Sequence, residues 1–157
     1  MDIIPKSFIL FLLICILSIL ELKMANYILT NCTNIQKRFL LFLFGCITTR
    51  ILFVIIAFKI NKKYLPFIGY FALIPAIMFM YLYLFNLRKI GNETFGDKIW
   101  WMNLRPIHSM LYFIFAYMAI NQNQNAYKPL LIDVSIGLIS FLVYHQNNNN
   151  IQKLFIN

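Results

Sequence analysis

The chain alternates between long apolar runs and short polar ones. Apolar runs occupy residues 7–22, 39–58, 65–85, 106–120 and 129–144, and the stretches between them are basic, aromatic or rich in Asn and Gln. A helix needs roughly 20 apolar residues to cross a ~30 Å hydrocarbon core. The pattern therefore predicts an all-α fold, an integral membrane helical bundle with about five transmembrane helices, as a single domain followed by a short polar tail over 145–157.

The runs differ in what they promise. The first follows Lys6 and is short enough to be the h-region of a signal peptide. No A-x-A-like site follows it and Ser18-Ile19-Leu20 is bulky for cleavage, so it reads as a retained span, with cleavage as the alternative. The second is bounded by Lys37-Arg38 and by Lys59, Lys62 and Lys63, and carries Arg50 near its middle. Pro75 at the centre of the third removes a backbone donor and predicts a kink. The fourth opens on Pro106 and the fifth on Pro129, a residue suited to the first helical turn. At about 15 residues, roughly 22 Å, the fourth is short for the core, and the fifth is short as well. They form a helical hairpin across Asn121-Gln122-Asn123-Gln124-Asn125 that must thin the bilayer, lie partly inside the protein, or recruit Trp100, Trp101 and Tyr127 at the interface.

Composition agrees. Of 157 residues, 61% are hydrophobic and 12% charged, and the mean hydropathy is +0.72, against about 45–50% apolar and about 25% charged in a soluble domain. A soluble globule is excluded. The net charge of +9 comes largely from Lys and Arg at the ends of apolar runs, where it fixes orientation and meets anionic lipid headgroups. The lipid bilayer is thus the expected partner, with homo-oligomers allowed, and nucleic acid is not. With five spans, eight Lys and Arg fall on the side of Lys37, Arg88 and Lys98 and five on the side of Lys59 and Lys128, which predicts an outside N-terminus and an inside C-terminus. Two N-x-T sequons, at Asn31 and Asn92, share the more basic side and would argue the reverse if glycosylated. Cys15, Cys32 and Cys46 form no disulfide framework.

No catalytic, cofactor-binding or metal-ligating motif is legible. Gly91 to Lys98 resembles the start of a phosphate-binding loop, but Asp97 separates the second Gly from Lys98 and Ile99 stands where a hydroxyl residue would hold magnesium. The candidate chemistry lies in the polar residues within the runs. A charge at mid-span costs roughly 2.5–3.5 kcal/mol on insertion scales, and Arg50 and Asp133 are the two ionisable groups placed well inside spans. At ~1.5 Å per residue, Arg50 sits about 2–3 Å and Asp133 about 5 Å past the midplane on the same side. An ion pair between the second and fifth helices follows. Arg105 and His108 are expected at the opposite face, with Arg105 about 15–17 Å from Asp133 along the normal.

Helical spacing extends the candidate cluster to Arg50, Asp133, His108, Arg105, Tyr112 and Ser140. Asp133, Gly137, Ser140 and Tyr144 form one stripe of the fifth helix while Ile132, Leu138, Phe141 and Leu142 look elsewhere, and Arg105, His108 and Tyr112 form one stripe of the fourth. Three readings of Asp133 stay open: it is glue between helices, it cycles between protonated and ionised states, or it is favoured by its own helix N-terminus while Arg50 snorkels. His108 is either a proton relay or an interfacial histidine.

Trp100-Trp101-Met102-Asn103-Leu104-Arg105-Pro106-Ile107-His108, followed by Leu130-Leu131-Ile132-Asp133-Val134-Ser135-Ile136-Gly137, resembles small multi-pass membrane proteins of large DNA viruses of algae and protists. The resemblance covers the last third of the chain and implies a host-cell or virion membrane. It carries over no catalytic residue. The expected function is a non-enzymatic membrane component, structural or assembly-related. The alternative is a small oligomeric proton or ion conduit using the Arg50/Asp133 pair, and a lipid-modifying enzyme comes third.

Overall fold

A computed structural model describes residue 30 and residues 32–91, 94–95 and 97–154. The chain divides into two compact units, Met1–Lys37 and Arg38–Asn157, and the residues of the site belong to the second. The apolar run 7–22 lies outside the described residues. Among the described residues the fold is helical, with α1 (Asn34–Lys59), α2 (Lys62–Leu84), α3 (Arg105–Ile120) and α4 (Gln124–Asn147). An isolated bridge between Ile90 and Lys98 closes the long loop between α2 and α3.

Three of these helices, α1, α2 and α4, are long and apolar enough to cross a membrane. The outward side of α2 carries Phe67, Phe71, Ile74 and Ile77, all more than half exposed, a density of bare apolar side chains suited to lipid and costly in water. The fourth predicted span is the exception. At 16 residues, α3 alone is about 24 Å long, short of the ~30 Å core, and the 3₁₀ turn at Met102–Leu104 that precedes it adds roughly 6 Å.

In space, α3 and α4 form an antiparallel hairpin, with α2 packed on α3 and α1 on α4. The α2–α3 seam is built from small residues. Gly69, Ala72 and Ala76 on α2 face Ala116 and Ala119 on α3, and all four alanines are fully buried. A Cβ placed on Gly69 would lie 3.0 Å from the Ala119 Cβ and 3.1 Å from the Ala116 carbonyl oxygen. Close approach of this kind replaces the hydrophobic effect as a source of helix association in lipid. Ser109 adds a polar tie, its Oγ donating to the Ala76 carbonyl at 2.6 Å.

The Asn- and Gln-rich punctuation terminates helices. Asn86, Gln122 and Asn149 each adopt a left-handed φ of 52° to 54°. After α2, α3 and α4 the paired 5→2 and 6→1 backbone bonds of a Schellman motif form, as in Gln122 N–H to Ala119 O and Asn123 N–H to Met118 O, both at 2.9 Å. Asn at this position tolerates the left-handed conformation better than most residues. Asn61 and Asn123 then open the next elements, their side-chain oxygens accepting from the backbone N–H of Lys63 and Asn125. The polar tail expected from residue 145 is corrected here: α4 continues to Asn147, and a 3₁₀ turn follows at Gln152–Leu154.

Within α1, residues Leu41–Ile47 are π-helical. Arg38 and Arg50 are twelve residues apart, which on an α-helix of 3.6 residues per turn leaves them about 120° apart around the axis. The wider π turns underwind the helix and bring both arginines to the same side. Thr48 and Thr49 support the stretch by donating their hydroxyls to the carbonyls of Leu43 and Gly45. Pro75, in contrast, leaves α2 continuous from Leu65 to Leu84.

The seam makes a paired prediction. Gly69→Val should lower stability by about 1–3 kcal/mol through overpacking. Gly45→Ala, where a Cβ meets nothing within 4 Å, should leave it unchanged or slightly raised. Thermal unfolding of the detergent-solubilised protein reads both.

Candidate functional site: a buried Arg-Asp-His cluster beneath a cavity

Asp133, in the second turn of α4, is 1% exposed. Its two carboxylate oxygens face different helices. Arg50 Nη1 on α1 donates to Oδ2 at 2.7 Å, so the ion pair expected from matched depth is present. His108 Nδ1 on α3 lies 2.5 Å from Oδ1. Two lone pairs would repel at that distance, so a proton lies between them, and the ionised carboxylate paired with Arg50 assigns it to Nδ1. The 3.2 Å approach of Arg50 Nη1 to His108 Nδ1 follows from both donating to one carboxylate. Phe79 of α2 closes a further side, its ring centre 6.0 Å from the His108 ring and 6.0 Å from Arg50 Cζ.

His108 was expected at the face opposite Asp133, and the structure places it in contact. The reason is the hairpin. Counted from the turn at Gln122, His108 lies about 21 Å along α3 and Asp133 about 16 Å along α4, a gap that two side chains close. Estimating each depth from its own midplane assumed that α3 matches the core thickness, whereas its 16 residues rise only about 24 Å. Gly137 lies against the contact: a Cβ there would meet Arg50 Nη1 at 3.7 Å and His108 Cε1 at 3.8 Å, ordinary van der Waals distances.

Arg105 does not join the cluster. It is 2% exposed and donates to the carbonyls of Leu87 at 2.8 Å and Arg88 at 2.9 Å, with Leu82 at 3.4 Å, which ties the C-terminal end of α2 to the start of α3. A buried guanidinium serving carbonyls past a helix end is a structural cap. Tyr112 sits in the apolar core beside Phe79. Ser140 is half-buried and outside the cluster. The inward stripe of α4 is Asp133, Gly137, Phe141 and His145, at steps of four. Phe141, expected to look elsewhere, is 1% exposed, and Tyr144 lies at the stripe's edge, stacked on Trp100 at 5.0 Å.

Above the cluster lies a cavity of about 260 Å³. His108 and Arg50 border its inner end, Phe42, Phe141, Trp100 and Trp101 its walls, and Arg38, Lys98 and His145 its outer end. Arg38 Nη2 donates to the Thr94 carbonyl at 2.6 Å and to the Asp97 carboxylate, holding the α2–α3 loop beside α1. The cavity, Arg38 and His145 were not foreseen. The four-residue step from Asp133 to His145 was available in the sequence, whereas the π stretch that turns Arg38 inward was not. Among the described residues, no group of three His, Cys, Asp or Glu could hold a metal ion.

Comparison with family models, with curated proteins and with solved structures found no match to this chain.

Two predictions follow from the geometry. Asp133→Asn and Arg50→Gln should each destabilise the protein by about 3–5 kcal/mol, because each strands a buried partner, while the double variant should lose clearly less than the sum. A double-mutant cycle of unfolding in detergent measures this. Arg105→Ala should cost about 1–3 kcal/mol by leaving carbonyls at the α2 terminus undonated; purely additive behaviour with Asp133→Asn would show it to be independent of the cluster.

Proposed function

We propose that this chain is a multi-pass integral membrane component without catalytic activity, in which the Arg50–Asp133–His108 cluster ties α1, α3 and α4 together. One observation carries this reading: a carboxylate that is 1% exposed has both oxygens occupied by side chains from two other helices. Such an arrangement neutralises the desolvation of Asp133 and specifies which helices meet. The three helices long enough to cross a membrane support the membrane assignment. The five-run pattern, with α3 as the short arm of a hairpin and the N-terminus outside, is part of the proposal.

A conduit through one copy of the chain is the less favoured reading, because beyond Tyr112 the interior on the other side of Asp133 is apolar. The cavity borders the cluster toward Arg38, but toward the α3–α4 turn the interior is closed by Leu130, Phe115, Ala119 and Ala126, each at most 2% exposed. A proton arriving at His108 from the cavity meets, past Asp133 and Tyr112, only these apolar side chains on that path.

The test uses the full chain reconstituted in vesicles enclosing a pH-sensitive dye. An imposed pH gradient should decay as slowly as in protein-free vesicles. Rapid collapse that Asp133→Asn abolishes, with the variant still folded, would favour the conduit. Separately, the expressed chain should stay in the membrane pellet after alkaline carbonate washing, and its release would overturn the membrane assignment.

A further inference from the structure

The cavity does more than adjoin the cluster. Its inner part is apolar, with Phe42, Ile47, Phe79 and Phe141 among its walls, and its outer end carries two cations, Arg38 and Lys98. No Asp or Glu lines it among the described residues. The cationic groups also differ in how far they are already committed. Arg50 Nη1 is engaged by Asp133. Lys98 is exposed and makes no ion pair among the described residues. Arg38 uses Nη2 on Thr94 and Asp97, but its Nε–H is buried with no hydrogen-bond partner among the described residues.

We infer that the cavity binds a single-chain anionic amphiphile, its carboxylate or phosphate head held by Arg38 and Lys98 and its alkyl chain packed inward among the aromatic rings toward Arg50 and His108. An oxyanion supplies the counter-charge that Lys98 lacks and a further acceptor for the Arg38 guanidinium. The volume, about 260 Å³, is just under the ~300 Å³ lower bound of small-molecule pockets, which excludes a two-chain lipid and admits part of a single chain. Polarity sets the direction, since the cations are at the end near the α2–α3 loop and the apolar walls lie deeper along α1 and α4. That is how a fatty acid or a lysophosphatidate already sits in a bilayer leaflet. The origin of the ligand in the membrane rests on the assignment made under Proposed function. The cavity's chemistry does not.

The chain supplies its own reporter. It has two tryptophans, Trp100 and Trp101, and both line the cavity. The full chain in a nonionic detergent is titrated with a bromine-labelled stearate, whose heavy atom quenches indole fluorescence on contact. Saturable quenching is expected, with a brominated alcohol of equal length at least tenfold weaker. Lys98→Glu, at an exposed side chain, should weaken stearate binding about tenfold, the scale of a charge-assisted contact. Asp97→Asn should tighten it, because it removes the carboxylate that competes for Arg38, whereas a variant that merely loosened the loop would bind less well.

Equal binding of acid and alcohol, non-saturable quenching, or Asp97→Asn weakening the stearate would each overturn the inference. So would displacement of the stearate by inorganic phosphate at comparable concentration, which would identify a free-oxyanion site with no role for the tail. Because the titration is done in detergent, its failure is distinct from release of the chain by carbonate washing, which bears on the membrane assignment alone.

Discussion

The burial of Asp133 is the constraint on which the rest of the fold depends. An ionised carboxylate far from water is tolerated only when paired and hydrogen-bonded, and α4 alone provides no such partner. Arg50 must come from α1 and His108 from α3, so three helices are held to one register by a single side chain. Leu, Ile and Phe on these helices could slide past one another in lipid with little penalty, since lipid tails are as apolar as they are. A buried carboxylate with two donors cannot slide. The rest of the packing then adapts: Gly137 lies against the guanidinium and the imidazole, and Phe79 covers them from α2.

α2 is attached by other means. It reaches α3 through Gly69, Ala72 and Ala76 against Ala116 and Ala119, through the Ser109 hydroxyl, and through Arg105, which serves carbonyls beyond its C-terminal end. Close backbone approach needs small residues along the entire seam, whereas the polar cluster needs only three side chains at one level. The bundle thus combines a dry, small-residue interface on one side of the hairpin with a polar, cavity-bearing interface on the other. The second is the side where ligand chemistry is available, because a π-helical stretch opens α1 and turns Arg38 and Arg50 toward the same space.

The departures from the sequence-based expectation have separate geometric causes. His108 was misplaced because α3 was treated as a full crossing, and counting from the hairpin turn instead of from the midplane brings it level with Asp133. Phe141 and His145 were assigned outward or to the tail because apolarity and chain position were read in place of angle, although they continue the four-residue step from Asp133 and Gly137. Arg105 looked like a member of the cluster because it shares a helical stripe with His108. Its long side chain reaches instead to the carbonyls of Leu82, Leu87 and Arg88, a choice made by the neighbouring loop.

What the sequence determined by itself was one-dimensional. Runs of apolar residues define helices, Pro and Asn place their ends, and residue counting put Arg50 and Asp133 at matching depths, because rise per residue is nearly constant. What only the tertiary structure decided was angular and lateral. Which faces meet depends on the underwinding of Leu41–Ile47 and on small residues that let α2 and α3 approach. It also depends on a loop whose Thr94 and Asp97 hold Arg38. These are contacts between segments far apart in the chain, in helices apolar on nearly every side, where hydrophobic periodicity has little to report.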